Sequence, residues 1–265
     1  MNIEIRNIET DEEYRALERL ARDIWGMEEI EVIPSDLIRV VAKNGGLALG
    51  AFAPQLVGFV FGFLGRQNGE IKHCSHIAGV AREMQNQDIG YQLKLAQRDA
   101  VLKDGIGVIT WTFDPLESRN ARFNLHKLGA TCNTYIRNAY GEMRDALNEG
   151  LPSDRFQVDW RLQSHRVLSH LRQKSHEVLP SQLIAKGVPV TDRASSIEAG
   201  IPILVEIPAE FQKLKAADRA EALSWRLKSR DLFEAAFRVG LVATDLLVEE
   251  GRSYYLLEPL ANQVE

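Results

Sequence analysis

Residues 76–93, HIAGVAREMQNQDIGYQL, constrain the fold of this chain more than any other segment. Ile77 and Val80 give a β-branched, apolar approach, Gln85, Asn86, Gln87 and Asp88 form a polar turn, and Ile89, Leu93, Ala96 and Ala100 then recur at helical spacing. The order is strand, turn, helix. The first backbone N–H groups of a helix lack internal acceptors and carry the positive end of its dipole, so a tight turn there can hold a pyrophosphate. Gly90 lets backbone approach such a ligand closely.

The neighbouring segments supply context. GLALGAF (46–52) and LVGFVFGF (56–63) read as two strands joined through Pro54 and Gln55. An earlier helix spans 12–24, with apolar Tyr14, Leu17, Leu20, Ala21 and Ile24 after Thr10 as N-cap. Downstream, GVITWTF (107–113) is a continuous apolar run suited to a buried parallel strand, which Asp114 and Pro115 end. A helix over 118–128 closes at Gly129, and a strand follows around 132–136.

Gln85 and Gly90 match a Gln/Arg-x-x-Gly-x-Gly/Ala pattern, and through it residues 80–93 resemble the acyl-CoA loop of the GNAT superfamily of N-acyltransferases. The element order β-α-α-β-β-β-α-β-α-β over residues 1–141 is similar to that family's. Asp88 departs from the pattern, standing where its first glycine would be. A carboxylate about 4 Å from a phosphate charge is repelled by roughly 4 kcal/mol in partly screened surroundings, so Asp88 must point outward, be neutralised, or block binding. Arg82, Lys94 and Arg98 lie near enough in sequence to offset it.

The resemblance implies an α/β (α+β) fold, with a mixed, centrally splayed sheet flanked by helices. It also implies acyl-CoA as co-substrate, acetyl-CoA by default or succinyl-CoA, and direct attack by an amine in a ternary complex. The amine is expected to belong to a small molecule, with a protein N-terminus or lysine as an alternative, and a non-catalytic module of the same fold as another. Contacts to the co-substrate are expected from Gly79, Val80, Gln85, Asn86, Gln87, Asp88, Ile89, Gly90 and Tyr91, and from Asn120 and Asn124, which otherwise serve only to cap and solvate their helix. His76, on the strand leading into the turn, is the preferred base for the amine's proton. The family's usual acid is a tyrosine four residues before the glycine that ends the later helix; here that position is Leu125, and Tyr135 or Tyr140 would have to substitute. Trp111 is placed beside the acyl group, and Asp114 and Arg155 at the acceptor, where an arginine suits bidentate capture of a carboxylate. Packing alone would also explain the aromatics, and a surface ion pair the arginine.

The domain boundaries are read as 1–145 for the acyltransferase domain, 146–200 for a connecting arm with helices, and 201–265 for a smaller α/β region. Residues 143–151 are expected to be helical, and SDRFQVDWR (153–161) to form a strand or extended arm. The last region echoes the first: Ile201 to Ile207 is a central-strand pattern ended by Pro208, a helix then runs to Gly240 as the earlier one runs to Gly129, and Glu250-Gly251 signals a hairpin.

Composition bounds the alternatives. A length of 265 residues, 45% hydrophobic and 26% charged, describes an ordinary globular chain. A net charge of −5 with dispersed Lys and Arg argues against nucleic acid as partner, and the lack of a long apolar run or signal-like start argues against a membrane and for the cytoplasm. A monomer or homodimer is expected. Two cysteines make no disulfide framework. His73, Cys74 and His76 make no metal site, because alternation sends His73 to the opposite face from the other two.

Overall fold

The computed structural model of the chain describes residues 3–26, 28, 31–67, 69–141, 143, 149–172 and 178–259. It divides into two compact units, Met1–Trp111 with Arg144–Glu149, and Thr112–Met143 with Gly150–Glu265. No described helix is long and apolar enough to cross a membrane.

In the first unit, β1 (Glu4–Asn7), β2 (Leu47–Ala53), β3 (Gln55–Gln67) and β4 (Glu70–Val80) form successive antiparallel pairs, and β5 (Val108–Phe113), which belongs to this unit as far as Trp111, joins β4 in parallel. The expected mixed α/β sheet is therefore the one observed. Helix α1 (Asp11–Trp25) starts at a capping box in which Thr10 and Glu13 each satisfy the other's backbone N–H. With α2 (Ser35–Lys43) it covers one face of the sheet, where Tyr14, Leu17, Ala21 and Ile38 pack with Phe59 and Phe61. The opposite face is covered by α3 (Ile89–Lys103), whose Ile89 and Leu93 pack with Leu49, Val60 and Met84.

The second unit holds β6 (Thr131–Ile136), β7 (Arg155–Arg161), β8 (Ile203–Ile207), β9 (Leu241–Glu249) and β10 (Arg252–Pro259), in the sheet order β7-β6-β9-β10-β8. Its helices are α4 (Ser118–Ala121), which passes into a π-helical turn (Arg122–Lys127), then α5 (His165–Arg172), α6 (Pro180–Ala185), α7 (Phe211–Ala217) and α8 (Arg219–Arg238). The single helix expected over 118–128 is thus two kinds of helix, still closed by Gly129 in the left-handed region at φ 72°. Within SDRFQVDWR, Arg155–Arg161 is a strand, β7. Of the helix expected over 143–151, residues 144–148 lie outside the described residues.

This division differs from boundaries at 145 and 200. Hydrogen bonds explain it: β6 pairs with β7 on one side and β9 on the other, so the segment after β5 shares its ladder with the C-terminal strands. The echo between the two sequence regions has a geometric counterpart. Strands β6 and β9 meet antiparallel at Cys132 and Ala243, and the hairpins they begin each carry one extra residue, Asn133 in β6 and Thr244 in β9. Gly129, Cys132 and Asn133 precede Gly240, Ala243 and Thr244 by the same number of residues. The sheet order β7-β6-β9-β10 places β6 and β9 beside each other, each with its own partner outside.

Candidate functional site

The turn between β4 and α3 is open and exposed. Ala81 N–H donates to Val57 O at 2.8 Å, a short 3₁₀ turn covers Arg82–Met84, and Gln85 Nε2 reaches back to Val80 O at 3.3 Å. Asn86 and Asp88 then take left-handed backbone angles, φ 64° and 59°. Asp88 is the N-cap residue of α3, yet its side chain makes no capping hydrogen bond. Backbone N–H groups of the first helical turn have no intrahelical acceptor, and the dipole favours an anion before them.

The glycines here do different work. Gly90 lies in the first turn of α3 with ordinary backbone angles, and a Cβ built on it would meet only Val80 Cγ2, at 3.8 Å. Neither conformation nor packing demands glycine, so its bareness keeps space open before the helix. A Cβ on Gly79 would instead lie 2.7 Å from both Ile24 Cδ1 and Trp25 Cη2. That glycine serves the approach of α1.

Beside the turn the sheet forks. Parallel pairing of β4 with β5 is confined to His73 with Ile109 and Cys74 with Thr110. Directly beyond, β4 bulges against β3: Ser75 pairs with Gly62 and Ile77 with Phe61, leaving His76 as the extra residue. From Ser75 to Val80 the β5-facing edge of β4 has no ladder partner among the described strands, so its backbone groups can bind an extended ligand.

The bulge separates two sets of side chains. On the α1/α2 face, the His76 ring sits 6.4 Å from Phe61 and 5.9 Å from Phe63 and borders a cavity of about 70 Å³ lined by Leu17, Ala21, Ile33, Ile38 and Glu31. His76 is exposed overall, but its burial against these neighbours holds its pKa below the usual histidine value. On the α3 face lies a buried polar cluster. Lys94 Nζ donates to Ser75 Oγ at 3.1 Å and to Gln97 Oε1 at 2.8 Å and lies 3.9 Å from the centre of the Trp111 ring; Gln97 Nε2 donates to His73 Nε2 at 3.1 Å. Burial pushes Lys94 down to about 7. Burial, and secondarily the Lys94 charge, pushes His73 down to about 4.

Most of the remaining expected site residues lie in the second unit and are committed to its framework. Tyr135 donates to Asp154 Oδ2 at 2.7 Å, and the same carboxylate takes Arg230 Nε at 2.8 Å. Desolvation and the Asp154 charge raise the Tyr135 pKa, which makes it a poor proton donor. Arg155, expected to capture a carboxylate on the acceptor, is buried, with its guanidinium on the Asp154 carbonyl at 2.9 Å and 3.7 Å from Asp114. Asp114 is in turn clasped by Arg226, so both residues belong to an internal ion cluster. Asn124 donates to Asn120 Oδ1 at 3.2 Å, and Leu125 is fully buried. Trp111 belongs to the first unit, with its ring at the Lys94 amine.

Sequence reasoning missed Ser75, Gln97 and Glu31, and gave Lys94 only an offsetting charge. A signal existed: Lys94 is four residues after Gly90, hence on the same helix face, and its neighbours Leu93 and Val101 are core residues. A lysine on a buried stripe is uncommon unless it is paired. Among the described residues, no group of three or more His, Cys, Asp or Glu is arranged to hold a metal ion.

No protein-family model and no curated protein matches the chain. Among solved structures, it is similar to a protein assigned to the GNAT family of acetyltransferases from Desulfovibrio desulfuricans (12% identity, covering 61% of this chain and 99% of that one, TM-score 0.49). It is also similar to Arabidopsis thaliana NAA60 in complex with acetyl-CoA (13% identity, 60% and 99%, TM-score 0.48). A third is the ribosomal-protein-S18-alanine N-acetyltransferase from Escherichia coli (13% identity, 61% and 94%, TM-score 0.48). At these values the likeness carries no residue-by-residue correspondence.

Proposed function

We propose that the chain is an acyl-CoA-dependent N-acyltransferase of GNAT type, acting on the amine of a small molecule. The observation that carries this reading is the fork: an unladdered edge of β4 opens between an α3 N-terminus, kept bare at Gly90, and a strand bulge that presents His76. An anionic pyrophosphate fits the helix start, and an extended arm fits the free strand edge. The acyl carbonyl then comes to the bulge. A thioester attacked there needs a base for the incoming amine, and His76, neutral near pH 7 because its pKa is lowered, is suited to take that proton. The small, apolar cavity beside it, with Glu31 on its wall, favours a compact primary amine over a protein chain. Acetyl-CoA is the default donor.

Calorimetric titration of the full chain with acetyl-CoA, succinyl-CoA and free CoA tests the binding half of this reading, and thiol release on adding a panel of primary amines tests the catalytic half. His76→Ala should lower the transfer rate about 100-fold or more and leave acyl-CoA affinity within a few-fold. Failure to bind any of the three would overturn the reading and favour a non-catalytic module, which Asp88 and Leu125 would suit.

A further inference from the structure

Acyl transfer leaves one proton unassigned. The departing thiolate of CoA takes one up, Leu125 has none to give, Tyr135 holds its own against Asp154, and the Tyr140 hydroxyl is paired with Thr112 Oγ1 at 2.6 Å within the second unit. The fork supplies another donor. Ser75 and Trp111 are the next residues of β4 and β5 after the last parallel pair, Cys74 with Thr110, and Lys94 Nζ touches both side chains. Lys94 is thus the group beneath the point where the two strands part. It also lies one helical turn, about 6 Å along the axis, from the open space at Gly90, on the side from which the co-substrate would enter.

The side chains of β4 divide the two proton tasks. His76, on the bulge, faces α1 and α2 and the small cavity; Ser75, one residue before it, faces α3 and accepts from Lys94. A carbonyl at the fork would meet an amine from one face and release sulfur toward the other. Resting on the acyl-transfer reading above, we propose that Lys94 is a catalytic acid of this reaction, giving a proton from Nζ to the departing CoA sulfur on the α3 side of β4 while His76 accepts the amine's proton on the other. The C–N bond forms, the C–S bond breaks with its electron pair passing to sulfur, and Lys94 is left as a neutral amine beside CoA thiol. The proton held by His76 and the one lost by Lys94 then exchange with solvent, so no proton is gained or lost overall.

The cluster suits this cycle. The amine keeps Ser75 and Gln97 as acceptors in both charge states, and the Trp111 face receives the ammonium. His73 is the other titratable group there, α3 meets β2 and β3 through Leu49, Ala51 and Val60, and a lysine poised near 7 has the balance of acidity and charge that proton transfer at neutral pH favours.

The test is the pH dependence of kcat for the full chain, measured as thiol release from acetyl-CoA with the fastest amine of a primary-amine panel. The wild type should give a bell, rising as His76 loses its proton and falling as Lys94 loses its own. Lys94→Gln keeps a hydrogen-bond donor for Ser75 but cannot titrate; it should lower kcat about 100-fold, abolish the alkaline limb and leave KM for acetyl-CoA nearly unchanged. Lys94→Arg, charged at every accessible pH, should keep more of the rate and move the alkaline limb beyond the measured range. Either variant alone decides if the other fails to fold. A wild-type alkaline limb in a folded variant, or a loss confined to KM, would overturn the assignment. No thiol release by the wild type with any amine would overturn the acyl-transfer reading itself.

Discussion

Asp88 begins α3 at φ 59°, a backbone region that glycine enters without strain and that costs most L-residues about 1–2 kcal/mol, less for aspartate. Its carboxylate does not cap the helix, so the aspartate brings a negative charge to an anion site without the usual N-cap benefit. With Asp88→Gly, free CoA should bind several-fold more tightly by calorimetry. Looser binding would mean that the carboxylate helps to hold the ligand. Lys94 is the converse case, a charge disfavoured by burial and held at about 7. An unfolded lysine titrates near pH 10.4, so between these values the unfolded chain binds more protons than the folded one. Stability should rise with pH from about 7 to about 10 through this group and depend on it little below 7. Denaturation midpoints of the wild type and Lys94→Met across that range check this, and an identical slope in both would place the lysine in water.

Strand β4 and helix α3 carry the candidate site because each has two uses for its residues. A Cβ on Gly90 would make only an ordinary contact with Val80, and alanine is favoured over glycine in a helix by about 1 kcal/mol. Gly90→Ala should raise stability by up to that amount while weakening CoA binding, a pairing of signs that a purely structural glycine cannot give. Urea denaturation and calorimetry on the same preparation read both, and equal affinity would show that the ligand does not use this space. Much at this scale was legible in the sequence. Thr10 and Glu13 bound α1 through local hydrogen bonds, and the polar turn at 85–88 falls where α3 begins, because caps and turns are chemistry between near neighbours. The bulge at His76 was not legible. It is a mismatch between β4 and β3, a register that neither strand states alone. The Lys94 cluster was hidden for a similar reason, since His73, Ser75, Gln97 and Trp111 come from three elements. Tyr135 and Arg155 were read as available because their partners, Asp154 and Asp114, and the arginines that hold those carboxylates, Arg230 and Arg226, are set by tertiary packing.

At the scale of the chain, the second unit joins two helix-strand-strand segments, and side chains of each reach the other. Helix α8 of the later half places Phe233 against Tyr135 and Phe156 of the earlier one, and Tyr255 of β10 donates to Pro115 O at 2.8 Å. The strongest crossing is ionic. Arg226 on α8 holds both Asp114 oxygens, at 2.8 and 2.5 Å, and its side chain is only 2% exposed. Asp114 Oδ1 also accepts Leu116 N–H at 2.8 Å, so the pair fixes the turn that leaves β5. Removing one member of a buried pair strands the other charge out of water, at a cost of about 3–5 kcal/mol, whereas replacing both by apolar groups can be nearly neutral. Arg226→Met should therefore lower the unfolding free energy by about that amount. Arg226→Met combined with Asp114→Leu should recover part of the loss, less the hydrogen bond to Leu116 and the Asp114 charge that buried Arg155 meets at 3.7 Å. Guanidinium denaturation of the three proteins followed by circular dichroism gives the double-mutant cycle. Recovery would establish the pair as the clasp between the halves, while a loss below about 1 kcal/mol in the single variant would assign their union to the aromatic contacts alone.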